Sequence, residues 1–389
     1  ALCYHREHSM WAVRRLSRSP FQRVRKVGNS WVPEGGDSTT ADPTTPPTED
    51  ATAIQHSRVL HQARLGEMMR LPGVCVPTRR PVGVAIDVDG VLVRGPKAIE
   101  GASSALQLLE NHHIPFVLLT NSGGCTESQK ARQVSHALGH AISHKRMVLS
   151  HTPMRVLSAS MRGKVVLMVG EFSTREVAEE YNFQDFLTVE ELVACHPTMY
   201  PHHTPQEEAR AEQLRAHPRV QRLAGKPIDA LMVMHDSLHM GRDLQVCCDV
   251  LRSVQGDPFR VQAPGASFQQ HVKMFASNPD LLYATEHPVP RFGQGAFLAA
   301  LETLFSRLTG HPLQFTQYGK PELRTYRFCE EILAEVSQIM PAAKVLDFAR
   351  RYKHDDPTAP VLYAIGDNPA ADVSVCPLQS TAVCAARPS

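Results

Sequence analysis

The chain has 389 residues, more than one ordinary domain needs, and 42% of them are hydrophobic, which is enough to form a core. Its 41 basic and 39 acidic residues give a net charge of +2, which does not indicate a nucleic-acid partner, and we expect none. No run of 18 or more uncharged apolar residues occurs, so we also expect no membrane-spanning helix. Nine cysteines without a CxxC pair argue against a zinc ribbon and against a disulfide framework.

Residues 1–34 form a basic N-terminal segment. No acidic residue occurs between His8 and Pro33, where arginines and serines alternate with apolar side chains. This composition is typical of a mitochondrial targeting segment, and it lacks the continuous apolar run of a secretory signal. We therefore expect residues 1–34 to direct import into the mitochondrial matrix and then to be removed. The alternative is a flexible basic tail that has no targeting function.

Residues 35–80 differ from the rest of the chain. Residues 35–52 are rich in threonine, proline, glycine and aspartate and contain no large apolar side chain. Such a segment cannot bury enough surface to offset the entropy lost on ordering, so it predicts a disordered linker. The apolar spacing within Ala53–Arg70 predicts a short helix.

From Val82 onward, short apolar runs alternate with segments of helical period. Runs too short for a helix are typical of strands buried on both faces of a parallel sheet. They are Val82–Val88, Pro115–Asn121, Lys164–Gly170, Ile228–Met234 and Val361–Asp367. Helices are predicted at Ala98–Asn111, Glu127–Leu138, Asp243–Val254, Gly295–Thr309 and Leu323–Val336. This alternation predicts an α/β fold with a doubly wound parallel sheet.

Polar residues follow three of the predicted strands. These strand ends are Asp87–Gly90, Thr120–Gly124 and Gly366–Pro369, with Asp372 close behind. Ligands of open α/β sheets bind outside the carboxyl ends of the strands, so the three ends are expected to face one crevice. Four aspartates would meet there, namely Asp87, Asp89, Asp367 and Asp372. They would repel one another unless a hard divalent cation such as Mg²⁺ were bound, although Asp-Val-Asp-Gly alone also fits a capped turn.

Four segments resemble, in order, the motifs of the haloacid dehalogenase superfamily. They are AIDVDGVLVRG (Ala85–Gly95), LLTNSGG (Leu118–Gly124), YGKP (Tyr318–Pro321) and AIGDNPAAD (Ala364–Asp372). The long interval between the second and third motifs is similar to that of subclass IIA, where it holds an α/β cap, and FASNPDLLY (Phe275–Tyr283) resembles the distal part of that cap. The resemblance implies a Rossmann-like core at residues 81–162 and 316–389, interrupted by a cap at 163–315.

The resemblance also implies a role for each motif residue. Asp87 would be the nucleophile and Asp89 the general acid and base, while Lys320 would neutralise charge on the transferring phosphoryl group. Phosphate oxygens would be held by Thr120 and by the backbone amides of Asn121 and Ser122. Mg²⁺ would be held by Asp87, the backbone carbonyl of Asp89, and Asp367. Asp372 would orient Lys320 or a metal-bound water.

The implied function is Mg²⁺-dependent hydrolysis of a small phosphorylated metabolite through an aspartyl-phosphate. The alternative is a mitochondrial binding or assembly protein that uses the fold with little turnover, linked to glycerophospholipid metabolism. Asn278 and Asp280 are candidates for the leaving-group pocket by position, and a homodimer through the cap is expected from the subclass. Members of the family continue beyond the fourth motif with a further strand and a closing helix. Since few residues follow Asp372 here, we expect at most one short strand at Ser380–Ala385, no closing helix, and exposed apolar sheet surface that favours association.

Overall fold

The computed structural model describes residues 2–7, 10–13, 24–27, 30–33, 82–171, 173–202, 204–283, 285, 287–336, 361–368, 371–372 and 381–384. The predicted linker and helix within residues 35–80 lie outside these ranges. Residues 14–80 separate as a unit of their own, whose described residues form one antiparallel hairpin of Val24–Val27 with Ser30–Pro33. The targeting role of residues 1–34 stays a prediction.

Strands and helices alternate along most of the described chain. The strands are β1 (Leu2–Glu7), β2 (Met10–Val13), β3 (Val24–Val27), β4 (Ser30–Pro33), β5 (Val82–Ile86), β6 (Val93–Arg94), β7 (Lys97–Ala98), β8 (Phe116–Leu119), β9 (Met147–Val148), β10 (Val166–Val169), β11 (Phe186–Thr188), β12 (Ala230–Val233), β13 (Ser253–Val254), β14 (Asp257–Val261), β15 (Lys273–Ala276), β16 (Leu282–Tyr283), β17 (Arg291–Phe292), β18 (Thr316–Gln317), β19 (Val361–Gly366) and β20 (Thr381–Cys384). The α-helices are α1 (Ala102–Asn111), α2 (Glu127–Leu138), α3 (Thr174–Glu180), α4 (Val189–Cys195), α5 (Pro205–Arg215), α6 (Pro218–Leu223), α7 (Met240–Leu251), α8 (Gln294–Thr309) and α9 (Leu323–Val336). Shorter 3₁₀ segments are His144–Arg146, Thr152–Met161 and Pro197–Met199.

The first sheet has the strand order β2-β1-β20-β19-β5-β8-β9. The strands from β20 to β9 are parallel, and the side chains of β19, β5, β8 and β9 alternate between two apolar clusters. For example, Phe116 and Leu118 of β8 pack on one face, whereas Val117 and Leu119 pack on the other. Burial on both faces explains why β5 and β8 read as continuous apolar runs. The α/β class and a parallel sheet are thereby confirmed.

The outer edge of this sheet contains a pairing that was not predicted. Strand β20 lies inside the predicted Ser380–Ala385 segment and pairs in parallel with β19. Its other edge pairs in antiparallel fashion with β1, with Leu2 opposite Cys384. Strand β1 therefore supplies hydrogen-bond partners that the motif pattern could not indicate, and the expected exposure of apolar sheet surface stays a prediction. Whether a closing helix follows β20 lies outside the described residues.

The second sheet is parallel throughout and has the strand order β11-β10-β12-β15-β18. Strands β10 and β12 match predicted runs, whereas β11, β15 and β18 were not predicted. Thr316–Gln317 was assigned to the second part of the core, but it pairs with Phe275–Ala276 of this sheet. Leu167 and Leu231 pack on one face, and Met168 and Met232 pack on the other. Among the described residues no helix is long and apolar enough to cross a membrane.

Candidate active site

Asp87 lies at the carboxyl end of β5 and is only 7% exposed. Its backbone N–H donates to Ile365 O of β19 at 2.8 Å, which fixes the residue between two neighbouring strands. Its Oδ1 accepts hydrogen bonds from Val88 N at 2.8 Å and from Lys320 Nζ at 2.9 Å. Burial raises the pKa of Asp87 to about 7, although Lys320 acts in the opposite direction. The Asp87 carboxylate therefore binds a proton more readily than an ordinary aspartate does.

Lys320 is placed between two carboxylates. Its Nζ donates to Asp372 Oδ1 at 2.7 Å and lies 2.9 Å from Asp87 Oδ1, and the residue is only 4% exposed. Burial alone would lower the pKa of Lys320, but Asp87 and Asp372 together raise it above its ordinary value. The ammonium group therefore stays charged and holds the third and fourth motifs against the first.

Three carboxylates meet beside this lysine. One oxygen each of Asp87, Asp367 and Asp372 lies within 4.8 Å of the others. Gly90 has a φ of 94°, and a Cβ at this position would overlap the Asp367 carboxylate, so glycine allows the close approach. A single ammonium group does not balance three carboxylates, and an all-oxygen donor set suits Mg²⁺. The residues therefore fit the predicted metal. Asp372, expected only to orient Lys320 or a metal-bound water, has a carboxylate oxygen within the same group.

Asp89 lies on the solvent side of the site, with its side chain 52% exposed. Its Oδ2 accepts a hydrogen bond from Thr120 Oγ1 at 3.1 Å and lies 3.6 Å from Lys130 Nζ. The first and second motifs are thus joined directly. An accessible carboxylate at this position can exchange protons with solvent and with a leaving group.

The sequence reasoning missed Lys130. Thr126 and Gln129 form a reciprocal capping box, which fixes the start of α2, and Lys130 Nζ donates to Ser122 Oγ at 2.9 Å. The TESQ pattern at Thr126–Gln129 could have predicted this helix start and the return of Lys130 toward the loop. A cation therefore borders the predicted phosphate-binding segment.

Thr120 and Asn121 follow β8 and are both buried. Thr120 Oγ1 accepts a hydrogen bond from Ser122 N at 3.0 Å. The Asn121 side chain donates to Lys320 O at 2.9 Å and accepts from Lys320 N at 2.7 Å. This side chain holds the lysine loop, so only the backbone of Asn121 is left for the predicted contact with phosphate.

The region between the second and third motifs also reaches the site. Asp280 Oδ2 accepts a hydrogen bond from Asn121 Nδ2 at 3.1 Å, whereas Asn278 Oδ1 accepts from Asp280 N at 2.8 Å and shapes the loop. Burial raises the pKa of Asp280, although the hydrogen bond from Asn121 lowers it. His235, which follows β12, lies against Gly124 and was not singled out from the sequence. Its approach depends on how the second sheet is placed, which no local pattern reveals.

Comparison with known proteins shows the family of the chain. The sequence profile of the family described as haloacid dehalogenase-like hydrolase matches residues 84–184. A mitochondrial hydrolase of Saccharomyces cerevisiae is 33% identical over 304 residues, which cover 76% of this chain and 84% of the yeast protein. The chain belongs to the haloacid dehalogenase-like hydrolases. It is therefore a hydrolase, as the four motifs implied.

Other relatives extend the comparison. A fusion protein of Schizosaccharomyces pombe, named as cardiolipin synthase (CMP-forming) and mitochondrial hydrolase, is 31% identical over 286 residues. These residues cover 74% of this chain and 44% of the fusion protein, so the chain spans less than half of that relative. A solved hypothetical protein of Pyrococcus horikoshii has 18% identity and a TM-score of 0.48, and the match covers 75% of this chain and 82% of that one.

Proposed function

We propose that this chain is a Mg²⁺-dependent phosphatase that hydrolyses a small phosphomonoester through an aspartyl-phosphate on Asp87. The observation that carries the proposal is the buried cluster in which Lys320 Nζ contacts both Asp87 and Asp372, with Asp367 in the same group of oxygens. Phosphoryl transfer depends mainly on positioning and on electrostatic stabilisation, and this cluster supplies both.

In the first half of the reaction, Asp87 attacks phosphorus. Its Oδ1 is held by Val88 N and Lys320 Nζ, so Oδ2 is the oxygen that approaches the substrate. The bond from phosphorus to the leaving oxygen breaks as the bond to Oδ2 forms, and Asp89 gives its proton to the departing alkoxide. The substrate alcohol then leaves from the exposed side of the site.

In the second half, the phosphoryl group is returned to water. Asp89, now ionised, removes a proton from a water molecule that attacks phosphorus, and the bond to Asp87 breaks. Thr120 and the amides of Asn121 and Ser122 hold the phosphate oxygens through both steps. For this, the Thr120 hydroxyl exchanges its bond to Asp89, and the Ser122 amide its bond to Thr120 Oγ1, for a bond to phosphate. Lys320, oriented by Asp372 at 2.7 Å, neutralises charge on the transferring group.

The metal completes this arrangement. Asp87, Asp367 and the backbone carbonyl of Asp89 would hold Mg²⁺, which when bound offsets the repulsion between the nucleophile and the phosphate dianion. The raised pKa of Asp87 supports this assignment, because a neighbouring cation is what the buried carboxylate requires to ionise below neutral pH.

The domain arrangement and the assembly are part of the proposal. Residues 81–162 and 316–389 form the catalytic core, apart from Thr316–Gln317, which pair with the second sheet, and residues 163–315 form a cap that supplies the leaving-group pocket through Asp280. The hydrogen bond from Asn121 to Asp280 supports the contact of the cap with the site. Pairing of two caps in a homodimer remains our expectation from the subclass.

We place the enzyme in the mitochondrial matrix. The support is the basic N-terminal composition together with the names of two relatives, both called mitochondrial hydrolases. One of them is fused to a cardiolipin synthase, which favours a phosphomonoester of glycerophospholipid metabolism as the substrate.

A substrate screen tests the proposal. Purified full-length protein is assayed with a panel of small and glycerol-based phosphomonoesters in Mg²⁺, and each assay is repeated with a chelator. We expect turnover of at least one compound and its loss on chelation. If folded protein releases phosphate from no compound, the phosphatase proposal fails and the binding or assembly role is favoured.

A further inference from the structure

A fourth strand of the first sheet also ends in polar residues at the site edge. Ser150 and His151 follow β9, which pairs in parallel with β8 just before Thr120. Each of these two residues is only 1% exposed. Neither has a role in the reaction described above, although both lie at the carboxyl edge where the catalytic groups meet.

A buried relay fixes the protonation of His151. Tyr181 OH donates to Glu127 Oε1 at 2.5 Å, and His151 Nδ1 lies 2.8 Å from the same hydroxyl oxygen. Because the hydroxyl proton goes to Glu127, Nδ1 must carry the proton that Tyr181 accepts. Burial lowers the pKa of His151 to about 4, although Glu127 and the backbone of Cys125 act in the opposite direction, so the ring is neutral near pH 7. Its Nε2 is therefore an unprotonated acceptor.

The free edge of this ring faces the turn that follows the second motif. Among the described residues, neither His151 Nε2 nor Ser150 Oγ has a hydrogen-bond partner. A Cβ at Gly123 would lie 3.5 Å from His151 Cδ2, 3.5 Å from Ser150 Oγ and 3.2 Å from His235 Nδ1. The Gly123–Gly124 turn thus lies against two histidines, one that follows β9 of the first sheet and one that follows β12 of the second.

The turn depends on glycine for this fit. Gly124 has a φ of 74°, and a Cβ there would overlap the His235 ring. The turn directly continues the segment whose amides hold phosphate in the proposed mechanism. The two rings therefore pack against the backbone that continues directly from Asn121 and Ser122.

We propose that His151 is a positioning residue for the 120–124 segment, and that Tyr181 sets the tautomer in which it acts. This inference rests on the proposed function, because its consequence is the binding of phosphate by that segment. Tyr181 follows α3, which packs on the second sheet, whereas Glu127 begins α2 of the core. The relay therefore transmits the placement of the inserted region to the phosphate-binding amides.

Substitutions can distinguish the effect of the hydrogen-bond relay from the effect of side-chain packing. Tyr181→Phe removes the hydroxyl and keeps the ring, so the apolar cluster around it is retained. Glu127→Gln keeps an oxygen that accepts the tyrosine proton, whereas Glu127→Leu does not. Tyr181→Phe and Glu127→Leu should therefore release His151 from its tautomer, whereas Glu127→Gln should preserve the tautomer.

The test measures inorganic phosphate binding by calorimetry in the presence of Mg²⁺, together with kcat and KM for p-nitrophenyl phosphate. We expect Tyr181→Phe and Glu127→Leu to raise the phosphate Kd and the KM about tenfold, with a smaller change in kcat. Glu127→Gln should stay within about twofold of the parent protein. Ser253→Ala is the matched control, because it removes another buried hydroxyl, 2.6 Å from Val250 O, away from the segment. It should lower Tm without altering the Kd.

The outcomes distinguish this inference from the proposed function. If the parent protein hydrolyses phosphomonoesters while the folded Tyr181→Phe and Glu127→Leu proteins bind phosphate as tightly as it does, the positioning role is wrong and the phosphatase assignment stands. If the parent protein binds phosphate without turnover and the variants weaken that binding, the positioning role stands and the phosphatase assignment fails. Equal weakening in Ser253→Ala would show a general loss of packing and would overturn the inference.

Discussion

The two parallel sheets end differently at their carboxyl edges. In the second sheet, Ser277 Oγ lies 3.0 Å from Met234 O and 2.9 Å from Gln294 Oε1, and Gln294 Nε2 donates to Val233 O at 3.1 Å. These groups are neutral and buried, and the single hydroxyl proton of Ser277 is shared between the two acceptors. In the first sheet, three carboxylates crowd around Lys320. Both edges use the same architecture, and acidic residues also follow strands of the second sheet, namely Asp236 and Asp280. Among the described residues, however, only the first edge brings three carboxylates within 4.8 Å of one another, so it is the edge suited to catalysis.

The largest expected effect is at the proposed nucleophile. Asp87→Asn is nearly isosteric and keeps the fold, but an amide cannot form the covalent intermediate. We expect phosphatase activity to fall by about 10⁴-fold or more. The measurement is the rate of p-nitrophenol release, with circular dichroism to verify folding. Activity near that of the parent protein would contradict the assignment of catalysis to the edge of the first sheet.

The metal ligands come next. Mg²⁺ should raise Tm, because a ligand that binds only the folded state stabilises it by mass action. Asp367→Ala removes one of the three clustered carboxylates, so it should abolish this shift and reduce activity by about 10²-fold or more. Calorimetric scans with and without Mg²⁺ provide the comparison. An unchanged shift in the variant would remove Asp367 from the ligand set.

Much of this edge could be predicted from the sequence, because β5, β8 and β19 are apolar runs followed by polar residues. The predicted bounds of α2 are those observed, since a capping box precedes Glu127 and Gly139 ends the helix with a φ of 61°. Strand β9 has only two residues and therefore no readable period, so Ser150 and His151 could not be placed. His235 approaches the site through tertiary packing, which local periodicity does not encode.

The second edge should respond in stability rather than in chemistry. Ser277→Ala leaves Gln294 Oε1 without its donor and should cost about 1–3 kcal/mol in the free energy of unfolding. We expect kcat to change less than about twofold, since the loss of one neutral hydrogen bond leaves the first edge in place. Urea unfolding and steady-state kinetics on the same preparation test this. A large fall in kcat with unchanged stability would show that the second edge takes part in catalysis.

The smallest effect is a pH dependence of stability in metal-free buffer. The pKa of Asp87 is raised from 3.8 to about 7 in the folded state, so the folded protein keeps a proton that the unfolded chain releases between these values. The contribution of Asp87 to stability therefore falls as pH rises from about 4 to about 7. Asn does not titrate, so the Tm of Asp87→Asn minus that of the parent protein should increase across this range and then level off. A constant difference would mean that Asp87 ionises normally.

The covalent role of Asp87 is tested most directly by trapping the intermediate. In Asp89→Asn, p-nitrophenolate still leaves without a proton donor, but no carboxylate remains at this position to activate the attacking water. The protein is mixed with p-nitrophenyl phosphate, quenched in acid, digested and analysed by mass spectrometry. We predict a phosphoryl group on the peptide that contains Asp87, and none in the Asp87→Asn, Asp89→Asn double variant. Turnover by the parent protein with no modified Asp87, or with the phosphoryl group on another residue, would contradict the mechanism.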